Sequence, residues 1–369
     1  MPAPAELLLV SKPLRPPWND GSTVLVRALA EGMDPAWRLV YFGDPAAPLR
    51  ANGEVLPAAP MGHAPSLAAK ARVLAALLSP RRRHLPLHLF FTPNRVTSSV
   101  VALLRRLQPA RPMVQSLMSA DGIERWAPLL RPLDAVVVLS ETTRARLVAA
   151  GLPPGRVRRI YPGVAPGPLA DPAVIAARRL LLYAGDLDPA VGRRLQAIAR
   201  ALDRPELAGW SLTIACRPKG EADAAVRGAL AAALAPTIAA GRVELLGEVA
   251  DMPALFARAS LQLFVADHLR RKVDLPLAVL EGLALGLGLC ALAVRPLAEI
   301  FERADERGLA VGIAVPPDAS DDALVDAVIA GARGAAAGAW AAPAQALVSA
   351  EFSREAMVRG YESLHAALG

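Results

Sequence analysis

The chain has 369 residues, 54% of them hydrophobic and 20% charged, which supplies apolar material for two cores and excludes a disordered chain. The formal net charge of +7 is uneven: residues 1–165 hold 21 Lys+Arg and 10 Asp+Glu (21 − 10 = +11), and the remainder hold 20 and 24 (20 − 24 = −4). A basic first half indicates an anionic partner there, either a phosphate-bearing acceptor or a membrane surface. Its basic residues are scattered with few aromatics between them, which disfavours nucleic acid.

The two cysteines, Cys216 and Cys290, lie in apolar runs without metal-ligand spacing, which favours a reducing compartment. The first residues show no basic segment before an apolar stretch, so we predict no secretory signal. Together these features predict a cytoplasmic protein.

Apolar runs alternate with helical periodicity along the first half of the chain. We predict helices over 24–33, capped by Ser22 or Thr23, from Asn94 to Leu107, and from Ser140 to Ala150. The predicted strands are 7–10, 38–42, 87–91, 113–117, 135–139 and 157–161.

Residues 161–172 contain four prolines and two glycines and are typical of a linker, after which the alternation restarts. We predict helices over 192–202, 323–332 and 355–368, and one with Glu281 at its start. The predicted strands are 180–184, 212–216, 243–246, 261–265, 289–294 and 311–315. Residues 275–294 are almost wholly apolar, but Glu281 and three glycines favour a buried helix followed by a strand over a membrane span.

This alternation predicts an α/β protein with two Rossmann-like, doubly wound parallel-sheet domains facing a cleft. We place the first domain at residues 1–165 and the second at 166–350. Residues 351–369 are predicted as a C-terminal helix that packs back towards the first domain.

Three stretches in order and spacing resemble the GT-B glycosyltransferases of family 4. They are Val138–Glu141 with Val157–Val164, Leu181–Leu187, and Arg242–Gly247 followed by Met252–Phe256, Leu280–Gly286 and Ala298–Ile300. The resemblance implies an N-terminal acceptor domain and a C-terminal nucleotide-sugar donor domain. It also implies transfer of a sugar to a hydroxyl acceptor, which is a glycan, a lipid-linked molecule or a small molecule. The nucleotide sugar is then a co-substrate, and no further cofactor is expected.

In that family a Glu at the place of Glu281 binds the donor ribose hydroxyls. A carboxylate accepts two hydrogen bonds, and a helix N-terminus beneath it would hold it ionised. The alternative is a glutamate that only complements the helix dipole.

The sequence departs from the family at several positions. The first Glu of the family's E-x7-E pattern falls at Val273, so Asp274 is the candidate replacement on the sugar hydroxyls. The Gly-Arg … Lys-Gly phosphate signature keeps Gly185 but has Asp186 and Val191 at its basic positions. The family's first-domain His has no match here.

A donor diphosphate still requires cations. Arg217 and Lys219 follow a predicted strand at its carboxyl end, and Lys272 of Arg270-Arg271-Lys272 precedes Asp274, so we predict that these residues bind the donor. The alternative for both segments is a solvated surface turn.

Asp20 and Gly21 follow the first predicted strand, in the loop that approaches donor phosphates and acceptor in the family. Gly21 permits close backbone approach, and Asp20 is the candidate base for the acceptor hydroxyl. The alternative for Gly21 is an ordinary turn glycine. Asp186-Leu187-Asp188 is interpreted as a turn pair rather than a metal site, so we expect no metal.

Residues 67–78 resemble an amphipathic helix and precede Arg81-Arg82-Arg83. Such an element suits peripheral contact with an anionic membrane on the cytoplasmic face, whereas the alternative is an exposed loop with a run of charge.

The sequence therefore predicts a retaining, metal-independent glycosyltransferase. The lost phosphate signature leaves open a non-catalytic relative that binds nucleotide sugar or glycan, or scaffolds a glycan-assembly complex. An NAD-dependent enzyme is disfavoured because no predicted strand is followed by G-x-G-x-x-G.

Overall fold

The structure is a computed structural model that describes residues 5–16, 18, 20–58, 66–168, 171–270 and 272–368. The chain forms two compact units. Unit 1 comprises Met1–Gly163, Arg270–Leu275 and Arg354–Gly369, and unit 2 comprises Val164–Leu269 and Pro276–Ser353. The C-terminal helix therefore belongs to unit 1, as does a six-residue segment from the middle of the second half.

Unit 1 contains a sheet of seven parallel strands. The strands are β1 (Ala5–Leu14), β2 (Trp37–Gly43), β3 (Glu54–Pro57), β4 (Leu87–Phe90), β5 (Met113–Leu117), β6 (Ala135–Val138) and β7 (Val157–Arg159), in the order β3-β2-β1-β4-β5-β6-β7. β1 lies between β2 and β4, so the strand order reverses there.

The helices of unit 1 are α1 (Gly21–Gly32), α2 (Leu67–Leu78), α3 (Arg95–Leu107), α4 (Ile123–Leu130), α5 (Glu141–Ala149) and α15 (Arg354–Leu368). Asn94 caps α3 in a reciprocal pair with Thr97, as N-cap chemistry at the predicted start implies. Ser140 caps α5. The cap of α1 is Asp20, not the predicted Ser22 or Thr23, because the helix begins at Gly21.

The two faces of the unit 1 sheet are covered by different helices. Leu87 and Leu89 of β4 join a core cluster that also contains Val101 and Leu104 of α3. His88 of β4 alternates with these leucines and packs against Tyr361 of α15 on the opposite face.

Unit 2 contains a sheet of six parallel strands. The strands are β8 (Leu180–Ala184), β9 (Ser211–Ala215), β10 (Val243–Leu246), β11 (Leu261–Phe264), β12 (Gly288–Leu292) and β13 (Gly312–Val315), in the order β10-β9-β8-β11-β12-β13. The helices are α6 (Pro172–Arg178), α7 (Pro189–Ala201), α8 (Glu221–Ala233), α9 (Ala235–Ala239), α10 (Met252–Phe256), α11 (Leu277–Ala284), α12 (Glu299–Glu306), α13 (Asp321–Ala336) and α14 (Ala341–Glu351).

The two parallel α/β sheets confirm the predicted fold class of two doubly wound parallel-sheet domains, and the predicted cleft between them stays a prediction. The apolar stretch over 275–294 is divided between α11 and β12, as predicted. Among the described residues, no helix combines the length and the apolarity that crossing a membrane requires.

Candidate functional site

The candidate site lies in unit 2, at the carboxyl edge of its sheet. Open parallel sheets bind ligands where the strand order reverses, outside the carboxyl ends of the strands. In unit 2 the reversal falls at β8, which pairs with β9 on one side and β11 on the other. The loops after these strands and the start of α11 therefore define the site.

Glu281 lies in the second turn of α11, not at the helix start that the sequence predicted. The helix begins at Leu277, and its N-cap Pro276 provides no side-chain hydrogen bond. Burial raises the pKa of Glu281 to about 7 from 4.5. The prediction that the helix N-terminus holds this carboxylate ionised was wrong, because desolvation is the dominant effect on its pKa.

The Glu281 carboxylate is half-buried and accepts no hydrogen bond from any other described residue. A carboxylate that is withdrawn from water without partners favours a ligand that donates hydrogen bonds to it. One helical turn away, the first N–H groups of α11 have no side-chain cap and suit an anion. Along the axis the two features are about 6 Å apart, given the helical rise of 1.5 Å per residue.

Close packing on β11 fixes the position of α11. Gln262 of β11 is buried, and its Nε2 donates to the carbonyl oxygen of Val279 at 2.9 Å. A Cβ on Gly282 would lie 2.4 Å from Gln262 Oε1, so only glycine permits this approach. This contact fixes the distance between β11 and α11, the helix that carries Glu281.

Gly185, Asp186 and Lys219 meet at the ends of β8 and β9. Gly185 leaves room for the hydroxyl of Tyr183, which a Cβ would approach to 2.8 Å. Lys219 Nζ lies 2.7 Å from Asp186 Oδ1. The acid that replaces the family's basic residue is therefore paired with a lysine from the neighbouring loop.

Arg217 shares the loop of Lys219 and contacts a different carboxylate. Its Nη1 lies 3.4 Å from Glu248 Oε1, in the loop after β10. Two of the three predicted phosphate-binding cations, Arg217 and Lys219, are thus at the carboxyl edge of the sheet, and each already faces a carboxylate.

Residues that the sequence analysis missed surround the strand-order reversal. Asp188 caps α7 by accepting from Val191 N at 2.9 Å, and His268 Nε2 lies 3.4 Å from its other oxygen. The buried Arg194 donates to the Val265 carbonyl at 3.0 Å and to Asp267 at 3.1 Å. Arg194 lies three residues after Val191, which occupies a basic position of the family's phosphate signature. The sequence offered no other signal for Arg194.

The structure gives Asp274 a different role from the predicted contact with donor hydroxyls. Asp274 is 1% exposed and belongs to unit 1. Its Oδ1 accepts from Ala120 N at 2.7 Å, and its Oδ2 accepts from the hydroxyls of Ser140 and Thr143 at 2.6 Å each. Three donors already occupy the carboxylate, so Asp274 anchors the 270–275 segment to the start of α5.

Lys272 is half-buried in the same segment and also belongs to unit 1, whereas Glu281 belongs to unit 2. Arg271 lies outside the described residues. The predicted contact of Lys272 with the donor stays a prediction.

Asp20 functions as a helix cap. It accepts hydrogen bonds from Ser22 N at 2.9 Å and Thr23 N at 3.4 Å, and Lys12 donates to its other oxygen. Partial burial raises its pKa, but hydrogen bonds from Lys12 and Ser22 outweigh this and lower the pKa to about 2. So acidic a group is a weak proton acceptor near neutral pH, which speaks against the predicted catalytic base.

Gly21 opens α1, and a Cβ there would lie 3.3 Å from Val273 Cγ2. The glycine thus allows the 270–275 segment to pass beside the helix start within unit 1. Its predicted approach to donor phosphates is untested by this packing.

Among the described residues no group of three or more His, Cys, Asp or Glu side chains is placed to hold a metal ion. Asp186 and Asp188 pair with Lys219 and cap α7, respectively. The absence of a metal requirement remains a prediction.

Residues 178–332 match the family described as "Glycosyl transferases group 1". This match covers most of unit 2, including β8, α11 and Glu281. No curated protein sequence matches the chain.

Solved glycosyltransferase structures share the fold over nearly the whole chain. Anabaena HepE (Alr3699) in complex with UDP-glucose has a TM-score of 0.68 and 17% identity, over 98% of this chain and 99% of that one. A glycosyltransferase from Rickettsia africae has a TM-score of 0.71 and 12% identity, over 99% of this chain and 98% of that one. The lipopolysaccharide outer core galactosyltransferase WaaB has a TM-score of 0.63 and 11% identity, over 98% and 99%.

Proposed function

We propose that the chain, whose residues 178–332 match the group 1 glycosyltransferase family and which shares the fold of solved glycosyltransferases, transfers a sugar from a nucleotide-sugar donor to a hydroxyl acceptor. The observation that carries the proposal is the arrangement on α11. A half-buried carboxylate without a hydrogen-bond partner among the described residues lies one turn from an uncapped helix start, beside the strand-order reversal.

This arrangement suits the two polar parts of a nucleoside diphosphate. The ribose hydroxyls donate to Glu281, and the diphosphate accepts from the backbone N–H groups at the start of α11. HepE is described in complex with UDP-glucose, so uridine nucleotide sugars are the first donors to test.

Lys219 supplies positive charge to the donor diphosphate in this proposal. The family's basic residues are absent at Asp186 and Val191, and Lys219 is the cation held beside Asp186. Charge that develops on the leaving diphosphate is stabilised electrostatically, which is usually the largest contribution to catalysis.

We further propose that transfer needs no metal and retains the anomeric configuration. Asp186-Leu187-Asp188 is engaged in an ion pair and a helix cap, which supports a structural use of this motif. Retention is carried over from the family that the sequence resembles. Unit 1 binds the acceptor, and the two free, buried cysteines support a reducing, cytoplasmic location.

A second candidate function is binding of a nucleotide sugar or glycan without turnover, or scaffolding of a glycan-assembly complex. Two observations favour it: Asp186 stands at a phosphate-binding position, and Asp20 is paired with Lys12, which lowers the pKa of its carboxyl.

The two candidates are separated by following release of nucleoside diphosphate from a panel of nucleotide sugars, with a mixed set of glycan, lipid-linked and small hydroxyl acceptors. A glycosyltransferase releases diphosphate with one donor, and Glu281→Ala lowers kcat/KM by at least tenfold, as expected for losing a charged hydrogen bond. Tight nucleotide-sugar binding without release would support the non-catalytic candidate.

A further inference from the structure

We propose that unit 1 docks on an anionic membrane surface through the outer face of α3 and the adjoining end of α2. We call this surface the α3 face, and it comprises Val96, Leu103, Leu107 and Leu78. Their exposed fractions are 67%, 43%, 59% and 37%. Of the five large hydrophobic side chains that are exposed among the described residues, these are four. The proposal does not depend on the proposed reaction.

The exposed residues of α3 form one stripe. Positions 96, 103 and 107 are separated by seven and four residues, so at 100° per residue they lie on one line along the helix, about 16 Å long. Val101 and Leu104, which are buried in the core, lie about 140° and about 80° around the helix axis from Val96 and so belong to a separate inner face of α3. A surface helix normally has one apolar side, so the second apolar side requires a partner outside the fold.

The end of α2 continues the stripe. Gln108 Nε2 donates to the Leu77 carbonyl at 3.3 Å, and Arg111 Nη1 donates to the same oxygen at 3.0 Å. Leu78 and Leu107 are each one residue away from this contact, which brings the C-terminal ends of the two helices together.

The charge around the stripe is of one sign. Residues 55–120 contain nine Lys+Arg and no Asp or Glu. Arg95 and Arg106 flank the stripe on α3, and Arg81 and Arg83 lie in the turn after α2. All four are exposed, and no described carboxylate forms an ion pair with them.

An apolar stripe beside arginines that pair with no described carboxylate matches the chemistry of an anionic bilayer surface. The leucines and valine enter the boundary between headgroups and acyl chains, and the arginines bind anionic headgroups. Nucleic acid explains the arginines but leaves the apolar stripe without a function. A second copy of the chain would place two strongly cationic surfaces against each other.

The test uses the full chain and vesicles of phosphatidylcholine with or without phosphatidylglycerol. We expect sedimentation with the anionic vesicles and at least tenfold weaker partition to the neutral ones. Leu103→Ser/Leu107→Ser and Arg95→Ser/Arg106→Ser each reduce binding to anionic vesicles by about tenfold or more. Thermal unfolding verifies that these exposed substitutions leave the fold intact.

The matched control is Val174→Ser/Arg200→Ser, which removes an exposed hydrophobic and an exposed arginine from unit 2, and it should bind vesicles as the wild type does. The proposal is overturned if the wild type does not bind anionic vesicles, or if the α3-face variants bind them as well as the control does. It is also overturned if the same variants instead abolish binding to a short DNA duplex or abolish self-association.

Discussion

The Glu281 carboxylate is half-buried and has no hydrogen-bond partner in the part of the chain that the structure describes, which makes its ionisation unfavourable in the free protein. Its folded pKa of about 7 lies above the ordinary value of 4.5. The folded state therefore binds more protons than the unfolded state between these values. The contribution of Glu281 to stability is full below about pH 4.5 and is lost as pH rises through about 7.

We predict that Glu281→Gln raises the melting temperature at about pH 8, where the wild-type carboxylate is charged, and changes it little at about pH 5. Thermal unfolding at the two pH values measures this. An equal change in melting temperature at both pH values would show that desolvation does not control the pKa of Glu281. Nucleotide binding should have the opposite pH dependence, since the ionised form accepts the ribose hydrogen bonds.

Substitutions at the two members of the Asp186–Lys219 pair should change the affinity for nucleoside diphosphate in opposite directions. Lys219→Ala should weaken binding of nucleoside diphosphate, because a cation is lost from the phosphate site. Asp186→Asn should strengthen it, because the lysine loses its competing carboxylate. Calorimetric titration with nucleoside diphosphate and with the bare nucleoside measures both effects. Equal changes for the two ligands would contradict a phosphate role for Lys219.

Asp274 should matter for stability rather than for donor binding. Asp274→Ala leaves the buried Ser140 and Thr143 hydroxyls and the Ala120 N–H without their acceptor, at a cost of about 3 kcal/mol. Urea unfolding measures this against Asp326→Ala, an exposed carboxylate whose loss should cost less than about 0.5 kcal/mol. Full stability with lost nucleotide binding would restore the original prediction for Asp274.

At the scale of elements, α15 is tied to the unit 1 sheet by a buried polar chain. His88 Nδ1 and His365 Nε2 lie 2.8 Å apart, and His88 Nε2 lies 2.8 Å from Ser116 Oγ. Ser116 Oγ and the Tyr361 hydroxyl are 3.1 Å apart. One imidazole must donate and the other accept, so the two histidines cannot both be protonated.

Burial lowers the pKa of His365 to about 4 and that of His88 well below its ordinary value. The unfolded chain therefore binds more protons, and stability is lost as pH falls from about 6.5 towards 4. We predict that His365→Gln, which keeps a hydrogen-bonding side chain without titrating, makes the melting temperature less dependent on pH in this range. The exposed His84→Gln is the matched control. An unchanged slope in His365→Gln would contradict this account of α15.

The sequence located the elements better than it located the site. Each predicted strand appears in the structure because the buried strands are short apolar runs, and Ser140 caps the helix that it was expected to cap. The edge strand β3, Glu54–Pro57, was missed because it is short and ends in proline. Glu281 was assigned to the start of α11 because the apolar run around it hides where the helix begins.

At the scale of the whole molecule, chain order predicted two parallel α/β sheets but not where the 270–275 segment belongs. Asp274 accepts hydrogen bonds from Ala120 and Thr143, which are 154 and 131 positions away in the sequence. Spacing along the sequence carries no signal for such contacts. The same limit applies to Lys219 and Asp186, whose pairing depends on neighbouring strand ends rather than on any motif.

The central claim is that unit 2 binds a nucleotide-sugar donor through Glu281 and the start of α11. The most direct test is thermal stabilisation of the full chain by a panel of nucleoside diphosphates and nucleotide sugars, with Glu281→Ala in parallel. A ligand at a hundredfold excess over its Kd stabilises the folded state by about 2.7 kcal/mol. We predict a clear rise in melting temperature with one nucleotide family that is lost in Glu281→Ala. No rise with any nucleotide in a folded sample, or an equal rise in the variant, would contradict the account.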